Sequence, residues 1–452
     1  MAGLELTFAD EACALALSDE QLLAGMARFE GALARACAKT GLVPAAEAEV
    51  IARTCACARF DAAALASAAR RAGTLAIPFV KQLTEQVAAH SADAARYVHL
   101  GATSQDVIDT ALVLCLRGAA DRILGLARRL GDAAAILAER HAATPMAART
   151  LLQAALPVPF GWKAAVWLSM LCRSMPRFRD AADDACVLQF GGAGGTLSAF
   201  GAMATEVERM LAGELSLRVP LSSWHSARDG FARLGSEAAI MAGAAGKMAR
   251  DVSLLMQPEV AEVAESAAGG SSSMPHKRNP SGSVLALEAA LRVPGLVATL
   301  LGQLTPEHER GLGQWQSQWL TLRELLCAAS SAVASMAGVL EELSVDTAAM
   351  SANLERSRGL VFSEAVSVRL SGALGKGAAH SLTEKLSATA LSRGQTLLEV
   401  LRADPAVASA IPASELASLF DPQHGFGAAS QMIGRVLARW RQVRATSPGT
   451  AP

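Results

Sequence analysis

Long runs of apolar residues at helical spacing, cut at intervals by proline and glycine, constrain this chain more than any other feature of it. Ile123, Leu126, Leu130, Ala133 and Leu137 repeat at near-heptad spacing, and comparable apolar-faced stretches recur through 160–180, 196–215, 232–264, 283–304 and 317–343. A period near 3.5 sustained over such lengths is the signature of a helix bundle. The punctuation falls at 157–161, 190–195, 218–220, 269–282 and 305–314, which are therefore the expected bundle-end loops. Aromatic residues make up only 4% of the chain, while alanine, leucine and glutamate recur throughout. Those side chains lose little rotamer freedom in a helix. No strand-like alternation persists and no internal repeat is visible, so the reading is all-α. Single cores stop growing at roughly 250–300 residues, so 452 residues imply two or three domains.

The first clear helix reads SDEQLLAGMARFEGALARACAKTG, with a capping box from Ser18 to Gln21, Leu22, Met26, Phe29 and Leu33 on one face, and a stop at Gly41. A Gly/Thr/Ser turn then leads into a helix whose early acids, Asp106 and Asp109, suit the positive end of its dipole. That turn is a candidate boundary. Beyond about 350 the helices shorten around Gly359, Gly372, Gly375, Pro405 and Pro412, and the terminal TSPGTAP reads as disordered. The divisions are thus 1–105, 106–350 and 351–452.

A formal net charge of -1 gives no general attraction for nucleic acid or an anionic membrane, so any anion site must be local. The N-terminal stretch has acids and no basic residue ahead of its apolar run, unlike a secretory signal, and charged residues interrupt the apolar runs before they reach membrane-spanning length. Most of the 8 cysteines lie in apolar helical runs, and the Cys55/Cys57 pair has no partner group at zinc-ligand spacing. Reduced thiols, a cytoplasmic location, and no metal or nucleotide cofactor are the expectations.

Three strings carry chemistry. GGSSSMPHKRNP at 269–280 combines mobile backbone, hydroxyls, amide donors and cations in a proline-closed loop, which suits a carboxylate whose α-carbon gains or loses a proton. HLGATSQDVIDT at 99–110 sets Thr103 and Ser104 at a helix N-terminus, where hydroxyls and free amides can hold a carboxylate. ARTLLQAALPVPFGWK at 148–163 offers Arg149, Thr150 and Gln153 for anion binding. The glycines at 190–195 lack the strand and spacing of a dinucleotide site and read as a tight turn with close backbone approach.

The first of these strings closely resembles the GSSxMPxKxNP signature of the fumarase/aspartase superfamily, and the second resembles its HxGxTSxD region. By that resemblance Ser271 is the catalytic acid/base, and Lys277, the second catalytic candidate, takes an oxyanion-stabilising position. Ser272, Met274 and Asn279 fall among the substrate-binding and oxyanion-stabilising positions, and Thr103, Ser104, Gln105 and Asp106 become substrate contacts. Where lyases such as fumarase and adenylosuccinate lyase read Thr-His, this chain reads Thr150-Leu151. A leucine moves no proton, and the carboxymuconate cycloisomerases also carry an apolar residue there. QFGGAGGTL (189–197), WHSARD (224–229), GKMARDVSLLMQPEVAEV (246–263) and EHERGLGQWQSQW (307–319) resemble the same branch and bring in His225, Glu307 and His308 as secondary candidates, and the resemblance runs on to AAH, ending at His380, a further one.

The resemblance implies three helical domains, a homotetramer built on the central bundle, and active sites assembled from several subunits. It implies lactonisation of 3-carboxy-cis,cis-muconate to 4-carboxymuconolactone in protocatechuate (β-ketoadipate) catabolism. The partner is then a small tricarboxylate, with no nucleic acid and no membrane. The alternatives are an adenylosuccinate-type lyase releasing fumarate, which Leu151 disfavours, and a non-catalytic structural protein on the same scaffold, which the intact loop disfavours.

Overall fold

The computed structural model of the chain describes residues 8–267, 269–270 and 273–446. These fold predominantly as helices in two compact units, each discontinuous in sequence. One unit takes Met1–Ala127, Ser174–Gly246 and Leu285–Ala334, and the other Arg128–Arg173, Lys247–Val284 and Ser335–Pro452. The terminal residues 447–452, within the stretch expected to be disordered, lie outside the described residues.

The expected long helices are present as Ser104–Arg140, Phe160–Ala185, Asp229–Leu255, Ser281–Gly302 and Gln314–Glu341. Ile123, Leu126, Leu130, Ala133 and Leu137 are all buried, as their spacing requires. Helix Asp19–Lys39 starts where the Ser18 hydroxyl accepts from the Gln21 N–H at 3.3 Å, and it ends ahead of Gly41, whose φ is 78°. Its buried row of Met26, Phe29 and Leu33 joins Phe79, Phe190, Phe200 and Leu211 in the core of the first unit. In the second unit Val366, Leu370, Leu386, Leu397 and Leu401 close a smaller core among the short C-terminal helices.

Three features differ from the sequence reading. The chain is not purely helical: Pro145–Thr150 and Gln153–Pro159 form an antiparallel hairpin, and Val263–Ala264 pairs with Ser344–Val345. The run expected as helix through 264 stops at Leu255, because Pro258 cannot donate to a continuing helix and Val263–Ala264 goes to the second small sheet. Pro157 and Pro159, read as loop punctuation, instead sit in the hairpin strand that leads into helix Phe160–Ala185.

Helices Ser281–Gly302 and Gln314–Glu341 are long and apolar enough to cross a membrane by length and composition. The second is a largely buried core helix. The first is mostly open, but it carries the ion-paired Glu288 and Arg292 mid-length, and burying such charges in hydrocarbon is costly.

Candidate active site

In the first unit the turn before helix Ser104–Arg140 is held by one carboxylate. Asp106 is fully buried, and four donors close on it: the N–H groups of Thr103 at 3.0 Å and of Gly191 and Gly192 at 2.9 Å each, and His225 Nε2 at 2.7 Å. The carboxylate can only accept, so Nε2 of His225 carries the proton. Gly191 and Gly192 are glycines for a steric reason. A Cβ on Gly191 would come within 2.8 Å of the His225 ring, and one on Gly192, at φ 67°, within 3.0 Å of the Gly101 carbonyl. The glycine string is thus a tight turn with close backbone approach.

Gln105 is equally buried and is used at both ends: its Nε2 donates to the His225 carbonyl at 2.9 Å, and its Oε1 accepts from Arg310 Nε at 3.0 Å. Arg310 is thereby fixed beside the glycine turn, where it also reaches the Ala193 carbonyl at 3.5 Å. Thr103 and Ser104 are half-buried at the helix start. One turn on, Asp109 is buried against Arg228, whose Nη1 lies at 2.6 Å, and against Trp315 Nε1 at 2.9 Å. At the other edge of the turn stands His99, with the left-handed φ of 60° and its Nδ1 at 2.6 Å from the fully buried Glu30. Burial opposes charge on this imidazole. The Glu30 carboxylate, by charge and hydrogen bond, together with Asp106, outweighs that and raises the His99 pKa above the usual histidine value.

The second unit carries the remaining strings. Arg149, on the hairpin, is locked in a two-pronged pair with the buried Glu262, at 2.8 and 2.7 Å, and Asn353 Nδ2 donates to the same carboxylate at 2.8 Å. Its charge is therefore matched inside the protein. Lys163 lies nearby, and burial, helped by the like charges of Lys247 and Arg149 against the acids Asp251 and Glu262, lowers its pKa. Thr150 and Gln153 are exposed partners at the hairpin end. Between them Leu151 and Leu152 make the two-residue turn with φ 51° and 65°, and Leu151 is 97% exposed in the single chain. The expected replacement of an imidazole by an apolar group thus stands at a hairpin tip.

The loop 269–280 is gripped at its neck. Gly269 and Asn279 exchange backbone hydrogen bonds at 3.0 and 2.7 Å, and Asn279 Nδ2 donates to the Gly270 carbonyl at 3.1 Å. Behind the neck the buried Glu265 accepts from the N–H groups of Gly282 and Ser283 at 2.9 and 3.0 Å and from the Ser283 hydroxyl at 2.6 Å. Met274 and Lys277 are exposed. Ser271 and Ser272 lie outside the described residues.

Of the secondary candidates, His225 is buried in the Asp106 cluster. Glu307 accepts from the Leu312 N–H at 3.0 Å and from Gln314 at 3.1 Å, and it organises its own loop. His308 takes a φ of 48° in that loop, and His380 is exposed on helix Lys376–Arg393. Sequence reasoning missed Glu30, His99, Lys163, Glu262 and Arg310 as parts of these clusters. Glu30 left a signal, since it is an acid on the apolar row between Met26 and Ala34. The partner of Arg149 left none.

The family described as "Lyase" matches residues 11–295, and the one described as "Adenylosuccinate lyase C-terminus" matches residues 359–436. A 3-carboxy-cis,cis-muconate cycloisomerase of Bradyrhizobium diazoefficiens is 47% identical over 93% of this chain and 94% of its own length. A nitrosuccinate lyase of Streptomyces davaonensis is 41% identical over 93% of this chain and 91% of its own. The crystal structure of 3-carboxy-cis,cis-muconate lactonizing enzyme from Pseudomonas putida superimposes with a TM-score of 0.92 at 42% identity, covering 97% of this chain and 99% of that one. The shared helical architecture, the matched loop strings and near-full-length identity agree, and this chain belongs to the lyase family of the fumarase/aspartase superfamily, in the part that includes the 3-carboxy-cis,cis-muconate cycloisomerases.

Proposed function

We propose that the chain is a cycloisomerase that converts 3-carboxy-cis,cis-muconate to the γ-lactone 4-carboxymuconolactone. The observation that carries this reading is the 47% identity to a cycloisomerase over nearly the whole of both chains. It is supported by the intact SMPHKRNP string and by Leu151, which offers no proton where the fumarate-releasing lyases have an imidazole. In the reaction one carboxylate oxygen of the substrate bonds to a conjugated carbon, and the carbon α to another carboxylate takes up a proton. Atoms balance without a co-substrate.

The costly species is the enediolate-like aci-carboxylate, whose charge needs prepositioned donors in a site closed to water. Lys277 and Asn279 are the proposed stabilisers, and Ser271 the proton donor, with Ser272 and Met274 beside it. A serine hydroxyl is a weak acid, so closure of the loop has to supply the tuning. Thr103, Ser104 and Gln105, with Arg149, Thr150 and Gln153, are the proposed carboxylate-binding set. Within it Gln105 acts by holding Arg310, and Arg149 through its pairing with Glu262.

The proposed assembly is a cytoplasmic homotetramer of three-domain subunits, divided near 105 and 350, with active sites shared between subunits. Helix Ser281–Gly302 supports it, because Val284, Leu291 and Leu301 stand exposed on an otherwise apolar helix that needs a cover. One assay tests the activity. Loss of the ultraviolet absorbance of the conjugated diene, without fumarate, is expected, whereas fumarate release from adenylosuccinate would establish the elimination reading in its place.

A further inference from the structure

Protein interiors are close-packed, and voids much larger than a water molecule are few in any domain. The first unit nevertheless holds a cavity of about 530 Å³, within the range of about 300–1,000 Å³ in which proteins bind small molecules. Every residue on its lining belongs to that one unit, and none belongs to the three strings that carry the site chemistry. Leu22 and Leu23 of helix Asp19–Lys39, Leu65 of helix Ala62–Ala72, Leu75, and Leu112 of helix Ser104–Arg140 make its walls apolar.

The polar content of the cavity is small and unbalanced. Its charged residues are Asp19, Arg70 and Arg323, two cations against one acid. Arg70 is exposed and makes no ion pair among the described residues. Arg323 gives Nη1 to Asp19 at 2.9 Å, but its buried Nε has no hydrogen-bond partner among the described residues. The buried Nε1 of Trp319, one turn earlier on helix Gln314–Glu341, has none either. Buried donors are almost always paired, so two orphans on one wall mark a place where an acceptor is missing.

We propose that this cavity is an effector site for a small apolar carboxylate, whose rings or chain fill the leucine-lined space while its carboxylate lies against Arg323 and Arg70 and draws the Trp319 N–H toward it. A monoanion matches the excess cation, and guanidinium–carboxylate bonds are of the stronger, charge-assisted kind. Trp319 joins the cavity to the candidate active site. Its ring packs edge-on against Trp315, with centroids 5.7 Å apart, and Trp315 Nε1 donates to Asp109 at 2.9 Å, one turn after Asp106. An indole that turns to meet the ligand disturbs the packing behind the 99–106 turn. The binding site stands on its own residues, and only the kinetic part of its test rests on the cycloisomerase reading.

The probe is naphthalene-2-carboxylate, with naphthalene-2-methanol as its uncharged counterpart, each titrated calorimetrically into the assembled enzyme. The acid should bind the parent, and the alcohol about tenfold more weakly, the effect of losing a hydrogen bond to a charged group. Arg323→Gln should remove that preference. Ala69→Phe, which fills the cavity from a half-buried position of helix Ala62–Ala72, should abolish binding of both. At saturation the acid should change KM for carboxymuconate by about fivefold or more in the parent and not in Ala69→Phe, a size usual for coupled sites. No binding to the parent, or binding that Arg323→Gln and Ala69→Phe leave at parental strength, overturns the site. An equal change of KM in Ala69→Phe places the probe at the substrate site and overturns it as well, and binding that leaves kcat and KM unchanged overturns the effector role. Should Ala69→Phe fail to fold, Arg323→Gln decides alone. A chain that binds the acid as expected yet consumes no diene would sink the cycloisomerase reading and leave the cavity standing as a carboxylate site.

Discussion

The turn at 99–106 and the loop at 269–280 are the two strings of the chain richest in site chemistry, and they are held in opposite ways. In the turn three N–H groups and an imidazole converge on one buried carboxylate, Asp106, and glycines allow the approach. In the loop the neck is held, where Gly269 pairs with Asn279 and Glu265 holds Gly282 and Ser283, while the side chains of Met274 and Lys277 are exposed. Under the proposed function the difference separates two tasks. A turn that binds fixed carboxylates gains from preorganisation, whereas a loop that must deliver a proton and close over the substrate needs to move.

This contrast predicts which substitutions read out as activity and which as stability. The largest effect is expected at Ser271→Ala. Turnover should fall by about a hundredfold to ten-thousandfold, the usual contribution of a positioned acid or base. The proposed tetramer should still form by gel filtration, and an assembled variant with turnover within about tenfold of the parent would remove Ser271 from the proton-donor role. Next comes Asp106→Ala, which strands the buried N–H groups of Gly191 and Gly192, the half-buried one of Thr103 and a buried histidine. A loss of about 3–5 kcal/mol in denaturant unfolding is expected, as for other broken buried charge clusters. Glu265→Ala should cost less, on the order of 1–3 kcal/mol, since it removes hydrogen bonds from two amides and a hydroxyl.

Glu265→Ala should also lower kcat more than it raises KM, because it frees the neck of the loop and not the binding turn. A stability loss in Glu265→Ala as large as that in Asp106→Ala would erase the contrast between the two regions. The smallest effect belongs to Leu151→His. Histidine can adopt the left-handed φ of 51° at that hairpin tip, so the fold should be undisturbed. An imidazole there without a group to orient it should yield no fumarate from adenylosuccinate. Coupled detection of fumarate checks this, and a positive signal would show that position 151 alone selects the chemistry.

Local rules made much of the fold legible. Helical spacing placed the buried row through Ile123 and Leu137, Ser18 marked a helix start and Gly41 its end, and the glycines at 190–195 were readable as a close turn. The hairpin was not legible, because Met146 and Ala147 are consecutive buried residues and not an alternating pair, and the prolines around them read as loop punctuation. Leu151 was readable as a departure from the lyase pattern, but its place at a two-residue turn was not.

By itself the sequence determined the helical class, the chemical content of the three strings and the family, since each depends on residues a few positions apart or on strings matched whole. Tertiary structure alone decided how the charges are spent. Arg149 was a free cation on the page until Glu262, 113 positions away, took both prongs of its guanidinium. Gln105, a candidate substrate contact in the sequence, is engaged in the fold by the His225 carbonyl and Arg310. Glu30 and His99, 69 positions apart, became a pair only once helix Asp19–Lys39 and the 99–106 turn were packed together. Spacing along a chain sets which face a side chain occupies, but a charge acquires its partner and its pKa from whatever the fold brings within about 4 Å, and that distance is not written in the order of residues.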